Sequence, residues 1–170
     1  KMLEFALTLN SPVAIRYPKG SASSHIPSST FQPIELGKAE VLRGGHDMAI
    51  IAIGSMVSNA IKIADLLSEN RIETYVINAR FAKPLDGQMI EDIVSKVKRI
   101  VIIEEGVCDG GFGSAILEFI ERENIKGIRV KRIGLPNEFI EHGKREELLK
   151  KYHLTADEVC ETIKAELFEK

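Results

Sequence analysis

Tryptophan is absent from this chain, aromatic residues make up only 6% of it, and its 170 residues include just two cysteines. Cys108 and Cys160 stand far apart with no CxxC or Cys/His spacing around either. Neither a zinc site nor a redox motif is suggested, and two reduced thiols in a cytosolic protein are the simpler reading. Charge of one sign is equally scarce. The 23 Lys and Arg against 25 Asp and Glu leave a formal net charge of -2, so the totals hold no basic excess to drive nonspecific nucleic-acid binding, and no nucleic acid is expected as partner. No apolar run approaches the roughly 18 residues that span a bilayer, and the N-terminus has no signal-peptide pattern. No membrane partner is expected, and the simplest compartment is cytoplasmic.

What is present is the composition of one globular domain with a core: 44% hydrophobic and 28% charged. Lys1 precedes Met2, and the chain enters at once into a predicted helix, Met2 to Leu7, which looks like an entry partway through a larger polypeptide. Val13 to Tyr17, β-branched and aromatic between Pro12 and Pro18, reads as a short strand. The stretch from Lys19 to Gly37 is rich in Gly, Ser and Pro and has no hydrophobic period, so it reads as an interdomain linker. Residues 1–18 are thus expected to be the helix-strand remnant of a preceding domain, 19–37 the linker, and 38–170 the domain proper.

From Lys38 the pattern becomes regular. Strands are expected at Ala39–Leu42, Met48–Ile53, Thr74–Ile77, Ile100–Ile103 and Ile128–Ile133, and the continuously apolar ones imply burial on both faces. Between them Val57, Ala60, Ile61, Ala64 and Leu67, then Met89, Ile90, Ile93, Val94 and Val97, then Phe112, Ala115, Ile116, Phe119 and Ile120 recur at the spacing of one helical face. Ser55 and Asp86 stand as caps of the first two helices. A short helix over Glu146–Lys151 follows, then a capping box, Thr155 to Glu158, opens a last helix with Val159, Ile163 and Leu167 in line. Alternating strand and helix predict an open, mainly parallel five-stranded α/β sheet with helices on both faces, and Ile50, Ile51, Ile77, Ile102 and Val130 in the core.

In such a sheet ligands gather outside the carboxyl ends of strands. The glycines of Gly110-Gly111-Phe112-Gly113 precede a helix, where free N–H groups suit an anion, although a tight strand-to-helix connection is the favoured reading. Glu104 and Glu105 form a carboxylate pair, but adjacent residues leaving a strand diverge, which disfavours joint acid/base work. Arg80, Lys83 and Asp86 share a loop that is either an anion site or, with better odds, a salt-bridged turn. His142 is a possible proton shuttle, with a loop histidine bonded to backbone favoured. Arg16 differs from these. A charge centred in an apolar strand is costly unless paired or bound to an anion, and a guanidinium suits phosphate through paired hydrogen bonds. An edge arginine paired with a carboxylate is the equal alternative.

Four segments in order resemble one family. They are Pro12-Val13-Ala14-Ile15-Arg16-Tyr17-Pro18-Lys19-Gly20; Asn78-Ala79-Arg80-Phe81 with Lys83-Pro84-Leu85-Asp86; Glu104-Glu105 with Gly110-Gly111-Phe112-Gly113-Ser114; and Gly134-Leu135-Pro136 with Phe139-Ile140-Glu141-His142-Gly143. Together they resemble the last third of the 1-deoxy-D-xylulose-5-phosphate synthases, thiamine-diphosphate-dependent enzymes of the transketolase type. The resemblance implies a transketolase C-terminal-like fold and, for a full-length protein, condensation of pyruvate with glyceraldehyde 3-phosphate with loss of carbon dioxide, the start of non-mevalonate isoprenoid synthesis. It implies thiamine diphosphate and Mg2+ bound upstream of this region, and a homodimer. Arg16 is the position matching the family arginine that contacts the aldehyde's phosphate; Lys19 stands where many members have arginine. The chain itself contains no GDG-type magnesium and diphosphate motif. No cofactor, metal or catalytic residue is therefore expected here, and the fragment alone is expected to be inert, with a structural and dimerisation role. The C-terminal domain of a transketolase or of a 2-oxoacid dehydrogenase β component, and a free-standing scaffold module, are the competing readings.

Overall fold

Apolar runs in this chain become strands where both faces can be covered. The computed structural model describes residues 1–18 and 33–168, and most of the predicted linker lies outside them. After α1 (Met2–Thr8) come β1 (Glu40–Arg43), β2 (Met48–Ala52), α2 (Met56–Glu69), β3 (Thr74–Asn78), α3 (Gly87–Lys96), β4 (Arg99–Val107), α4 (Phe112–Arg122), β5 (Arg129–Leu135), α5 (Arg145–Lys151) and α6 (Ala156–Ile163), which continues as a π-helical turn, Lys164–Phe168. The five strands form one sheet in the order β1-β3-β2-β4-β5. Every neighbouring pair is parallel except β1 with β3. The predicted open, mainly parallel sheet is the one observed.

Period-two alternation divides the core into two layers. Met48, Ile50, Ala52, Val76, Val101 and Ile103 face α2 and α6, with Leu149 of α5 in the same layer. Ala49, Ile51, Ile77, Ile100 and Ile102 face α3 and α4. The crossover through α2 thus runs over one face toward β3, and those through α3 and α4 run over the other. β2 and β4 are neighbours in the sheet, yet the chain leaves their carboxyl ends in opposite directions. A crevice belongs at that junction, the topological switch point.

Three expectations are modified. Val13–Tyr17 has no strand partner among the described residues and is exposed, because the sheet is already complete and this segment crosses the carboxyl end of β4, where no edge is offered to it. Ile50, Ile51, Ile77 and Ile102 are buried as expected, but Val130 is only partly covered, since β5 is an edge strand. On α2 the buried residue is Ile63, while Ile61 is half-covered against the same layer.

Candidate functional site at the sheet switch point

The adjacent carboxylates at the end of β4 have opposite fates. Alternation points Glu104 toward the α3/α4 layer, where its buried carboxylate accepts from the backbone N–H groups of Phe112 at 2.9 Å and Gly113 at 2.8 Å. It therefore caps the start of α4 with charge-assisted bonds from a neighbouring strand. Those N–H groups are the ones a phosphate would have used, so the glycine-rich loop serves as a tight connection. A Cβ on Gly111 would stand 2.2 Å from the Val107 carbonyl oxygen and 2.5 Å from Glu104 Oε2, which makes glycine the residue that fits.

Glu105 points the other way, toward α2 and α5. Its carboxylate accepts from Arg145 Nε at 2.8 and 3.0 Å and from Arg145 Nη2 at 2.6 Å, and also from the Ser55 hydroxyl. Ser55 stands at the N-cap of α2 but makes no side-chain cap bond, because an ionised carboxylate within reach is the stronger acceptor. Burial pushes the Glu105 carboxyl up, but the hydrogen bonds from Arg145 and Ser55 and the charges of Arg145 and Arg16 outweigh it and hold the group below its ordinary range. The same bond raises the Arg145 guanidinium. Ser55, Glu105 and Arg145 thus bridge the exits of β2 and β4 and the start of α5.

Arg16 reaches this cluster from the N-terminal segment. It is exposed, and its Nη2 donates to the main-chain carbonyl of Glu105 at 2.9 Å. A Cβ on Gly106 would lie 2.8 Å from Glu104 Oε2, so a side chain there would crowd that carboxylate, and 3.6 Å from Arg16 Nη1, an ordinary contact. Beside Arg16 an open cleft of about 380 Å³ is lined by Pro18, Glu105, Leu135, Ile140, Gly143, Arg145, Leu148 and Leu149. One further hollow, about 20 Å³ between the sheet and α3/α4, admits nothing larger than a water.

The remaining candidates do not join this cluster. Arg80 pairs with Glu40 at 2.7 Å, both side chains being 7% exposed. Asp86 accepts from Met89 N at 3.1 Å as the cap of α3, and from Ala39 N at 2.9 Å. That loop is a salt-bridged turn tying β1 to β3 and α3. His142 is exposed and makes no hydrogen bond among the described residues. Cys108 is half-buried and Cys160 buried, both as free thiols, and burial raises each thiol above its ordinary value. The predicted capping box closes differently: the Thr155 hydroxyl donates to the Glu158 carboxylate at 2.5 Å, with no bond from that hydroxyl to the helix backbone.

Sequence reasoning singled out Arg16, read Ser55 only as a cap and passed over Arg145, whose sole pointer was a charge opening a helix just after Gly143. The described residues bring together no three His, Cys, Asp or Glu side chains able to hold a metal ion. Around Glu105, Arg145 and Ser55 are committed to the carboxylate, while Arg16 is held on the main-chain carbonyl.

The fold is a doubly wound, mainly parallel sheet with helices on both faces and ion-paired side chains at the carboxyl end of β4. The chain belongs to the family described as the transketolase C-terminal domain, whose model matches residues 37–159. Within that family it is similar to the 1-deoxy-D-xylulose-5-phosphate synthase of Desulforudis audaxviator (strain MP104C), at 43% identity over 165 residues, 97% of this chain and 26% of the relative. It is likewise similar to that of Halothermothrix orenii (strain H 168 / OCM 544 / DSM 9562), at 43% identity over 161 residues, 95% of this chain and 25% of the relative. The chain spans about a quarter of the length of these curated relatives. Among solved structures, one described as "Split gene transketolase, inactive beta4 tetramer" superposes with a TM-score of 0.84 at 29% identity, covering 99% of this chain and 54% of that one. The resemblance read from the four motifs and the expected fold are both upheld. No helix among the described residues is long and apolar enough to cross a membrane.

Proposed function

We propose that this chain is the C-terminal portion of a 1-deoxy-D-xylulose-5-phosphate synthase, in which residues 38–170 support the neighbouring domains and the dimer while Arg16 binds the phosphate of glyceraldehyde 3-phosphate. The whole enzyme would join pyruvate to that aldehyde with loss of carbon dioxide in the cytoplasm. Thiamine diphosphate, bound with Mg2+ by upstream domains, would supply the carbanion chemistry. The observation that carries the reading is identity above 40% to synthases of this name along nearly the whole chain. The position of Arg16 supports its role: the guanidinium stands at the carboxyl end of β4 with one N–H on a neutral carbonyl, which leaves donors for a dianion. Residues 1–18 would close the preceding domain and 19–37 would link it to residues 38–170; the ring contact of Phe5 with Phe81, centroids 6.1 Å apart, gives the N-terminal segment a foothold on that last domain.

In this reading the isolated chain is inert, a proposal in keeping with a similar solved chain described as an inactive tetramer. That neighbour also favours a second reading, the C-terminal domain of a transketolase, which its lower identity of 29% ranks behind the first. Steady-state kinetics of the full-length protein decide between them. Product from pyruvate and glyceraldehyde 3-phosphate supports the synthase, and two-carbon transfer from a ketose phosphate in its place supports the transketolase. In the synthase, Arg16→Ala is expected to lower kcat/KM for the aldehyde by about ten- to a few-hundred-fold with little change for pyruvate, and Arg16→Lys to fall between. Equal damage to both substrates would instead mark a structural arginine.

A further inference from the structure

Glu105 is held at both ends. Its main-chain carbonyl takes Arg16 at 2.9 Å, while its carboxylate is taken by Arg145 through both Nε and Nη2 and by Ser55. For a guanidinium, an ionised carboxylate is the stronger acceptor and a neutral carbonyl the weaker. Arg16 nevertheless sits on the weaker one. The difference lies with Arg145 and Ser55, which occupy the carboxylate from the α2/α5 layer. Arg145 does so from the first turn of α5, where a cation is disfavoured by the helix dipole, so its place there depends on the Glu105 bond.

We propose that Arg145 and Ser55 are positioning residues that keep the Glu105 carboxylate away from Arg16, so that Arg16 meets an incoming phosphate with its charge uncancelled. This rests on the reading of Arg16 as the phosphate ligand. If Arg145 loses its charge, the freed carboxylate competes with the substrate for Arg16. If Glu105 loses its charge as well, there is nothing left to compete. A pair that only braces the fold would disturb kcat and the KM values of both substrates together, not the aldehyde KM alone.

The test is a mutant cycle in the full-length enzyme, varying aldehyde and pyruvate in turn. Arg145→Gln is expected to raise KM for glyceraldehyde 3-phosphate about tenfold, with kcat and the KM for pyruvate nearly unchanged. Arg145→Gln with Glu105→Gln is expected to return the aldehyde KM to within about threefold of the parent. Ser55→Ala, which frees one side of the carboxylate, should raise it less, and Arg145→Lys should also lie between; these two carry the test if Arg145→Gln does not fold. In an Arg16→Ala background Arg145→Gln should leave the aldehyde KM where it was. An unchanged KM in Arg145→Gln, or a double variant no better than the single, overturns the positioning role while leaving Arg16 as ligand. An Arg16→Ala enzyme with normal aldehyde kinetics overturns the reading of Arg16 on which it rests.

Discussion

Single side chains at the end of β4 show how differently two adjacent carboxylates can be placed. Glu104 and Glu105 are neighbours in sequence, yet one is sealed against a helix start and the other faces a cleft. For Glu105 the sign of the pH effect follows from its depressed folded value. The ionised carboxylate stabilises the fold above its ordinary value near 4.5, and that contribution disappears as pH falls through the depressed value. Glu105→Gln should therefore be less stable than the parent at pH 7 by about 1 kcal/mol, a modest figure because the Arg145 side chain is 38% exposed and screened by solvent. Urea denaturation of both proteins across pH 7 to 3 checks this. The gap should narrow only below about pH 4.5, and a gap constant with pH would mean that the charge contributes nothing.

At the level of elements, β4 organises the molecule. Its residues Ile100 to Ile103 are all buried, and its end holds α4 through Glu104 and α5 through Glu105. Replacing Glu104 with Ala leaves two N–H groups at the start of α4 without their acceptor, in a site too closed for water to replace it fully. The expected loss is about 2–3 kcal/mol. Thermal unfolding measures that cost, and hydrogen exchange should place the loosening at Phe112 and Gly113. Exchange that quickens elsewhere, with those two amides still protected, would contradict the capping role. Asp86 makes a similar link at the start of α3, and there the cap was legible because it precedes its own helix. The cap from Glu104 spans 8 and 9 residues, outside the window of any local capping motif.

For the molecule as a whole, the exposed large apolar side chains among the described residues include Leu3 at 66%, Leu7 at 81% and Tyr17 at 81% on the N-terminal segment, and Phe139, fully exposed, after β5. With the upstream domains proposed as the holders of the cofactor, this chain alone is expected to bind thiamine diphosphate no more tightly than millimolar, with or without magnesium. Titration calorimetry on the 170-residue chain decides the matter, and micromolar binding would put the cofactor site in this domain after all.

The alternation of apolar runs with amphipathic helices determined the sheet, its layers and most of its core, because burial on two faces leaves a local and periodic trace in sequence. Four short motifs in register sufficed to point to the family. What the tertiary structure alone decided is which side chains meet. Ser55 and Arg145 lie 50 and 40 residues from Glu105, and they converge only because the chain leaves β2 and β4 in opposite directions and α5 returns over the same layer as α2. Val13–Tyr17 carries the composition of a strand but remains unpaired among the described residues, since composition specifies a strand's faces and only a neighbour's free edge supplies its hydrogen bonds.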